Sequence, residues 1–187
     1  MHSSGALHED RFSGGQRKSA IRKVQMERLS IVTSRPFDEV IARIKMSIAN
    51  PNLAEFLPST RQAQSVGELE STVHEALGTA GLMLFYEFDH GDIVRKGTGS
   101  DTPRIIRLLI GNPLIMKQMS KHVPDASAYA PVTVLIDERD DGVHLSYDRM
   151  ASLLAPYGSP EALEVARDLD HKVAKLLEQA AGITGGE

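Results

Sequence analysis

Residues 132–147 read VTVLIDERDDGVHLSY and predict a β-hairpin. Asp141-Gly142 is a strong short-range signal for a β-hairpin, and apolar residues alternate on both sides of it. A two-residue turn there gives the two strands one shared apolar face. That face is expected to carry Val132, Val134, Ile136, Val143, Leu145 and Tyr147. A slip of one residue would turn these side chains to solvent, so the pattern favours this register.

Strands and helices alternate outward from this hairpin. The patterns predict strands over residues 24–34, 82–89 and 104–110, and helices over residues 36–48, 65–77, 113–122 and 160–181. Residues 53–57 are expected to form an apolar turn, residues 58–64 a polar stretch and residues 91–103 a Gly-rich loop. About five strands and four helices, with a helix between the first two strands, indicate a two-layer α/β domain.

Composition excludes several classes of function. The chain has 187 residues, of which 41% are hydrophobic and 25% charged, as in ordinary globular proteins. A net charge of −4 disfavours a strongly basic nucleic-acid binder. With no cysteine the chain has no disulfide, thiolate nucleophile, iron–sulfur cluster or cysteine-ligated zinc. Any site must therefore be built from other side chains and from backbone groups.

The chain is expected to be organised as one domain with polar ends. Residues 1–22 are predicted to be a disordered polar leader, residues 23–182 a single domain and residues 183–187 a flexible C-terminus. The first residues lack the apolar core of a secretory signal, and no apolar run reaches the roughly 20 residues that span a bilayer. A cytoplasmic location without membrane contact is the resulting expectation.

Candidate chemistry is sparse. His90 follows the strand over residues 82–89, where it could act as a general base, bind a metal or hold a turn. Residues 97–100 read GTGS near Arg104 and could cradle a phosphate, although they lack the Lys-Thr ending of a P-loop and also suit a flexible loop. Gly111-Asn112-Pro113 leads a strand into a helix N-terminus, which suits an anion or a simple tight turn.

The polar face of the hairpin contains the residue types of a hydrolase triad. His144, Ser146 and Asp148 are two residues apart on one strand and therefore lie side by side. Side-by-side residues that point outward do not form a proton relay, so a solvated sheet face is the favoured interpretation.

Four motifs in order carry a resemblance to a known family. They are Asp89-His90, residues 104–113 (RIIRLLIGNP), residues 130–136 (APVTVLI) and residues 140–147 (DDGVHLSY). Together they resemble the bacterial and archaeal family called domain of unknown function 302, over residues 27–158. Two departures are the Gly-rich segment after His90, where the family has an Ala-rich helix, and Ala130, where the family has Leu.

The resemblance implies an α+β fold similar to that of the TATA-box-binding protein. Such a fold has two layers: a curved, mostly antiparallel sheet of about five strands, and helices packed on one face. Homodimers are typical of the family, and it has no settled activity. Carried over residue by residue, the positions of interest are His90, Arg104, Asn112, Ser146 and Tyr147.

Three functions are compatible with these residues. The first is a non-catalytic small-ligand-binding or sensor domain that acts as a homodimer and holds its ligand between the sheet and the helices. The second is an enzyme with His90 as general acid or base, Arg104 as anion stabiliser and Tyr147 as second proton carrier. The third is a metal or haem binder through His90. The residues identify no particular cofactor, and nucleic acid ranks below these partners because fold analogy does not transfer function.

Overall fold

A computed structural model describes residues 21–100 and 103–183. Its strands are β1 (Arg28–Thr33), β2 (Met83–Asp89), β3 (Ile105–Gly111), β4 (Val132–Arg139) and β5 (Gly142–Asp148). Its helices are α1 (Phe37–Ser47), α2 (Leu53–Gln62), α3 (Val66–Glu75), α4 (His90–Thr98), α5 (Pro113–Ser120), α6 (Met150–Leu154) and α7 (Pro160–Ala181). Short 3-10 segments cover Pro124–Tyr129 and Ala155–Tyr157. Apart from residues 21, 22 and 183, the predicted leader and C-terminal tail lie outside the described residues.

The five strands of the described residues form one open sheet in the order β1-β5-β4-β3-β2. Every neighbouring pair is antiparallel. Helices α1 and α7 pack against each other and against the sheet, and α5 packs on α7. The predicted α+β class, with an antiparallel sheet of about five strands and packed helices, is therefore confirmed.

The hairpin has the predicted apolar face but a different turn. All six predicted side chains are buried, and Val134 lies opposite Tyr147. Arg139 pairs with Gly142, so the turn residues are Asp140 and Asp141 and not Asp141-Gly142. Gly142 lies in the strand and not in the turn. Its φ is +135°, and a Cβ there would lie 2.6 Å from the Thr33 carbonyl oxygen. The glycine lets β1 approach β5 closely.

Helix α7 closes the core over the sheet. It begins after the N-cap Ser159, whose hydroxyl accepts a hydrogen bond from the Ala162 N–H, and ends at Gly182 with φ of +78°. One face of this helix carries an apolar stripe that is buried except for the partly buried Val165; the stripe comprises Ala162, Val165, Leu169, Val173, Leu176 and Ala180. A fully buried Leu or Val stabilises the fold by about 1.5–3 kcal/mol, so this stripe accounts for much of the contact between the two layers.

The loop predicted after His90 is wrong for residues 91–98, which belong to α4. The Asp89 carboxylate accepts a hydrogen bond of 2.8 Å from the Asp92 N–H, and Asp92 pairs with Lys96 at 2.6 Å. These contacts offset the low helix propensity of the glycines. Gly91 is buried, and a Cβ there would lie 2.7 Å from the Ile105 N atom.

The apolar turn and polar stretch predicted over residues 53–64 are also wrong, because residues 53–62 form α2. The Asn52 side chain caps this helix by accepting a hydrogen bond from the Ala54 N–H, and Pro58 lies inside it. Phe56 is buried with Val73 and Met83 in a second, smaller apolar cluster. Helices α2 and α3 thus pack beside the start of β2, where they form the wall of a cleft.

Candidate ligand-binding cleft

A cleft of about 440 Å³ lies between α2, α3, α5 and the ends of β2, β3 and β4. Its size is within the range of small-molecule sites. Most of its lining is apolar: Phe56 and Leu57 from α2, Leu69 from α3, Phe85 from β2, and Leu114 and Met119 from α5. The cleft is therefore a gap in apolar packing that lies next to the core.

A break in the β2–β3 register provides one wall. Leu84 pairs with Ile110 and Tyr86 pairs with Leu109, so Phe85 is the extra residue of a β-bulge. A bulge re-aims the side chain of the residue that is left unpaired. The Phe85 ring accordingly lines the cleft and packs with the smaller apolar cluster.

Asn112 is the predicted site residue that lines this cleft. Its Oδ1 accepts a hydrogen bond of 2.9 Å from the Leu114 N–H and so caps α5. Its Nδ2 donates a hydrogen bond of 3.1 Å to the Gly81 carbonyl. Pro113 at the first helical position is typical of a helix start. Asn112 thus fixes the start of α5 against the loop before β2, and its amide is already engaged by the protein.

The other polar side chains of the lining are Thr60 and Lys117. Lys117 lies exposed on α5 and is the one charged residue among the described residues that line the cleft. Asp, Glu and His are absent from that described lining. The electrostatic character of the cleft is therefore that of an apolar surface with one cation beside it.

His90 and Arg104 lie outside the cleft. His90 is the first residue of α4, and its ring stacks on Phe88 with centroids 5.6 Å apart. Arg104 precedes β3, pairs with both carboxylate oxygens of Asp38, and lies 4.2 Å above the ring of Phe37. The Arg104 guanidinium lowers the pKa of the Asp38 carboxyl. This pair ties the entrance of β3 to the first turn of α1.

Ser146 and Tyr147 point to opposite faces of β5. Ser146 lies on the face away from the helices, between Ser30 on β1 and Leu135 on β4. Tyr147 is 1% exposed, and its hydroxyl donates a hydrogen bond of 2.7 Å to the buried Asp170 carboxylate. Burial and the adjacent Asp170 charge raise the pKa of Tyr147.

The structure does not gather the predicted site residues in one cavity. Asn112 lines the apolar cleft, and Tyr147 lines a separate pocket beside α7. His90, Arg104 and Ser146 line neither of these two. Within residues 21–100 and 103–183, no three His, Asp or Glu side chains are grouped so that they could hold a metal ion. In the same residues, no helix is both long and apolar enough to cross a membrane.

Sequence reasoning missed the apolar residues that form the cleft. Phe56 and Leu57 fall in the segment predicted as a turn, because Pro58 interrupts the helical pattern. The signal that could have found them is the Asn-Pro-Asn sequence before residue 53, because Asn52 is a favourable N-cap. Leu69 and Leu114 were expected only as helix residues, because an apolar residue that lines a cleft looks the same in the sequence as an apolar residue of the core.

Comparisons with known proteins agree with this fold. The sequence pattern of the family described as "Domain of unknown function DUF302" matches residues 58–180. Among solved structures, the chain is similar to an uncharacterized conserved protein DUF302 from Bacillus stearothermophilus, with a TM-score of 0.58 and 12% identity. That similarity covers 82% of this chain and 97% of the other, and at this identity it concerns the fold alone. No curated protein matches the chain. Because the family pattern covers well over half of its residues, the chain belongs to the family of domain of unknown function DUF302.

Proposed function

We propose that this chain is a non-catalytic domain that binds a small, mainly apolar molecule in the cleft between α2, α3 and α5. The observation that carries this proposal is a volume of about 440 Å³ with apolar walls. A ligand that occupies this cleft gains contacts with apolar walls that otherwise face water.

The few polar groups of the lining are consistent with binding. Asn112 is engaged by the backbone of Leu114 and Gly81, which leaves Thr60 and Lys117 to orient a ligand. An apolar pocket with a small number of polar groups is the usual composition of a small-molecule site.

A homodimer is the second part of the proposal, and it rests on the edge strand β2. Tyr86 and Phe88 are 56% and 37% exposed on the sheet face away from the helices, with ring centroids 4.3 Å apart. The backbone of β2 beyond its bridge to Ala49 lies at the edge of the sheet. An unpaired strand edge with exposed aromatic rings suits a twofold contact with a second copy.

Ligand binding is tested with the uncharged fluorescent probe 1-N-phenylnaphthylamine. We expect saturable binding of one probe per chain, weakened at least tenfold by L69W because the indole fills the cleft. The matched control is I93W, which adds the same indole on α4 at a position that is 71% exposed and outside the cleft. Each variant is first checked for a cooperative unfolding transition. The proposal fails if the wild-type chain binds no probe, or if L69W binds it as tightly as I93W.

The dimer is tested by sedimentation velocity. A wild-type species of twice 20.4 kDa is expected. The double variant Y86S/F88S is expected to be monomeric, whereas M46S, which removes a 77% exposed side chain on α1, is expected to remain dimeric. A wild-type monomer at every concentration would overturn this part of the proposal.

A further inference from the structure

We infer that the ligand of the cleft is an anionic amphiphile: an apolar body with one carboxylate or sulfonate group that pairs with Lys117. This inference rests on the proposed binding function and specifies the chemical class of the ligand. An apolar body matches the walls formed by Phe56, Leu69, Phe85 and Leu114. The anionic group follows from Lys117, the one charged residue of the described lining.

Lys117 makes no ion pair with any other described residue, and the described lining contains no carboxylate that could neutralise it. Lys45 and Lys96 each pair with a carboxylate at 2.6 Å, whereas within the described part of the chain Lys121, Lys172 and Lys175 are unpaired like Lys117. Lys117 differs from those three because it lines the apolar cleft. An unpaired ammonium beside an apolar surface attracts an anion and disfavours a cation in the same position. The lysine also retains its own hydration until a ligand arrives, because its side chain is exposed.

The geometry also suits the two ends of an amphiphile. Met119 and Lys117 both line the cleft, and Met119 is fully buried whereas Lys117 is exposed. A ligand whose apolar end contacts the inner residues can therefore keep its charged end near solvent. The free-energy cost of desolvating the charged group is then small, and the apolar body is removed from water.

The experiment compares two probes that share one aromatic framework and differ in charge. They are 1-anilinonaphthalene-8-sulfonate, which is anionic, and 1-N-phenylnaphthylamine, which is neutral. The wild-type chain is expected to bind both, and only the affinity for the anionic probe is expected to fall as salt is added. K117M is expected to weaken the anionic probe about tenfold, to remove the salt dependence of that binding, and to weaken the neutral probe much less than the anionic one.

Two further variants separate the site from general charge effects. K117R keeps the cation and is expected to retain anionic binding. K121M removes an exposed lysine of the same helix end that does not line the cleft, and it is expected to change neither probe. If K117M weakens both probes equally, weakens neither, or matches K121M, the anionic class is wrong while the cleft still binds the neutral probe. If the wild-type chain binds neither probe, the proposed binding function itself fails.

Discussion

The buried carboxylate of Asp170 provides the sharpest test of how the two layers are joined. Asp170 lies on α7 and is 3% exposed. Its oxygens accept hydrogen bonds from the Tyr147 hydroxyl at 2.7 Å, from the Met150 N–H at 2.7 Å and from the Ala151 N–H at 3.1 Å. One carboxylate thus connects α7, the end of β5 and the first turn of α6. The Arg149 Nε also lies 3.5 Å from this carboxylate. The substitution that removes the ion pair and the three hydrogen bonds is Asp170→Ala.

The expected cost follows from the burial of the donors that remain. Hydrogen bonds to a charged group contribute about 1.5–3 kcal/mol each, and a buried donor left without an acceptor costs about 1–3 kcal/mol. Tyr147 is 1% exposed, so water does not readily replace Asp170 there. Removal of the charge also ends its own desolvation cost, which offsets part of the loss. We therefore expect the free energy of unfolding to fall by about 3 kcal/mol, and Tm to fall by about 6–12 °C.

The assay is urea unfolding followed by circular dichroism at pH 7. Tyr147→Phe is expected to cost only about 1 kcal/mol, because both backbone N–H groups keep their acceptor. Asp168→Ala is the matched control, since Asp168 is exposed on the same helix and its loss should change stability by less than about 0.5 kcal/mol. The reasoning is refuted if Asp170→Ala is no more destabilising than Asp168→Ala.

Three further outcomes follow from single contacts. An unfolded tyrosine releases its proton near pH 10, whereas folded Tyr147, whose pKa is raised, keeps its proton. The free energy of unfolding should therefore fall above pH 10, by up to about 1.4 kcal/mol per pH unit. In Tyr147→Phe the same quantity should fall less steeply. Gly142→Ala should cost about 2–3 kcal/mol in the same urea assay, because its Cβ would meet the Thr33 carbonyl at a positive φ. Gly97→Ala, with open space around its Cβ, should be neutral or stabilising and so controls for the substitution itself. Asp89→Ala should lower the protection factors of the α4 amides several-fold. In the wild-type chain these protection factors should fall as pH drops below about 4, because the Asp92 N–H donates to Asp89 and lowers its pKa, and protonation removes the cap.

The sheet and the long helix could be predicted from sequence because their patterns are local and repeated. The hairpin alternates over two adjacent strands, and α7 repeats its apolar stripe between a Ser159 cap and Gly182. Even so, the turn was displaced by one residue. Asp-Gly is a common hairpin signal, but here a glycine is needed at 142 because the carbonyl of Thr33, on a different strand, lies too close for a Cβ. No local sequence pattern reveals that contact.

Helices α2 and α4 were missed because their composition disfavours a helix, whereas the contacts that stabilise them are not visible in composition. Pro58 and the glycines of α4 have low helix propensity, while the side chains of Asn52 and Asp89 cap the two helices. Burial of Phe56 against α3 and β2 then adds a tertiary contribution that propensity does not include. A capping residue followed by a weak helical pattern was the available signal in both places.

The candidate site could not be read from sequence for a different physical reason. Its walls come from segments far apart in the chain, and each wall residue is apolar in the same way as a core residue. What distinguishes the cleft is that apolar surfaces from α2, α3 and α5 fail to close on one another. That property belongs to the packing of whole elements and to no single residue.

The polar residues found by motif have, with the exception of Ser146 and His90, structural partners that account for them. Asn112 starts α5, Arg104 ties the entrance of β3 to α1, and Tyr147 joins β5 to α7 through Asp170. Each lies where a strand meets a helix, so the motifs shared with the family mark the junctions of the two layers. These junctions hold the scaffold and leave the side chains of the cleft lining outside that role. If the cleft binds a ligand as proposed, substitution of Leu69 or Lys117 should change probe affinity without unfolding the chain.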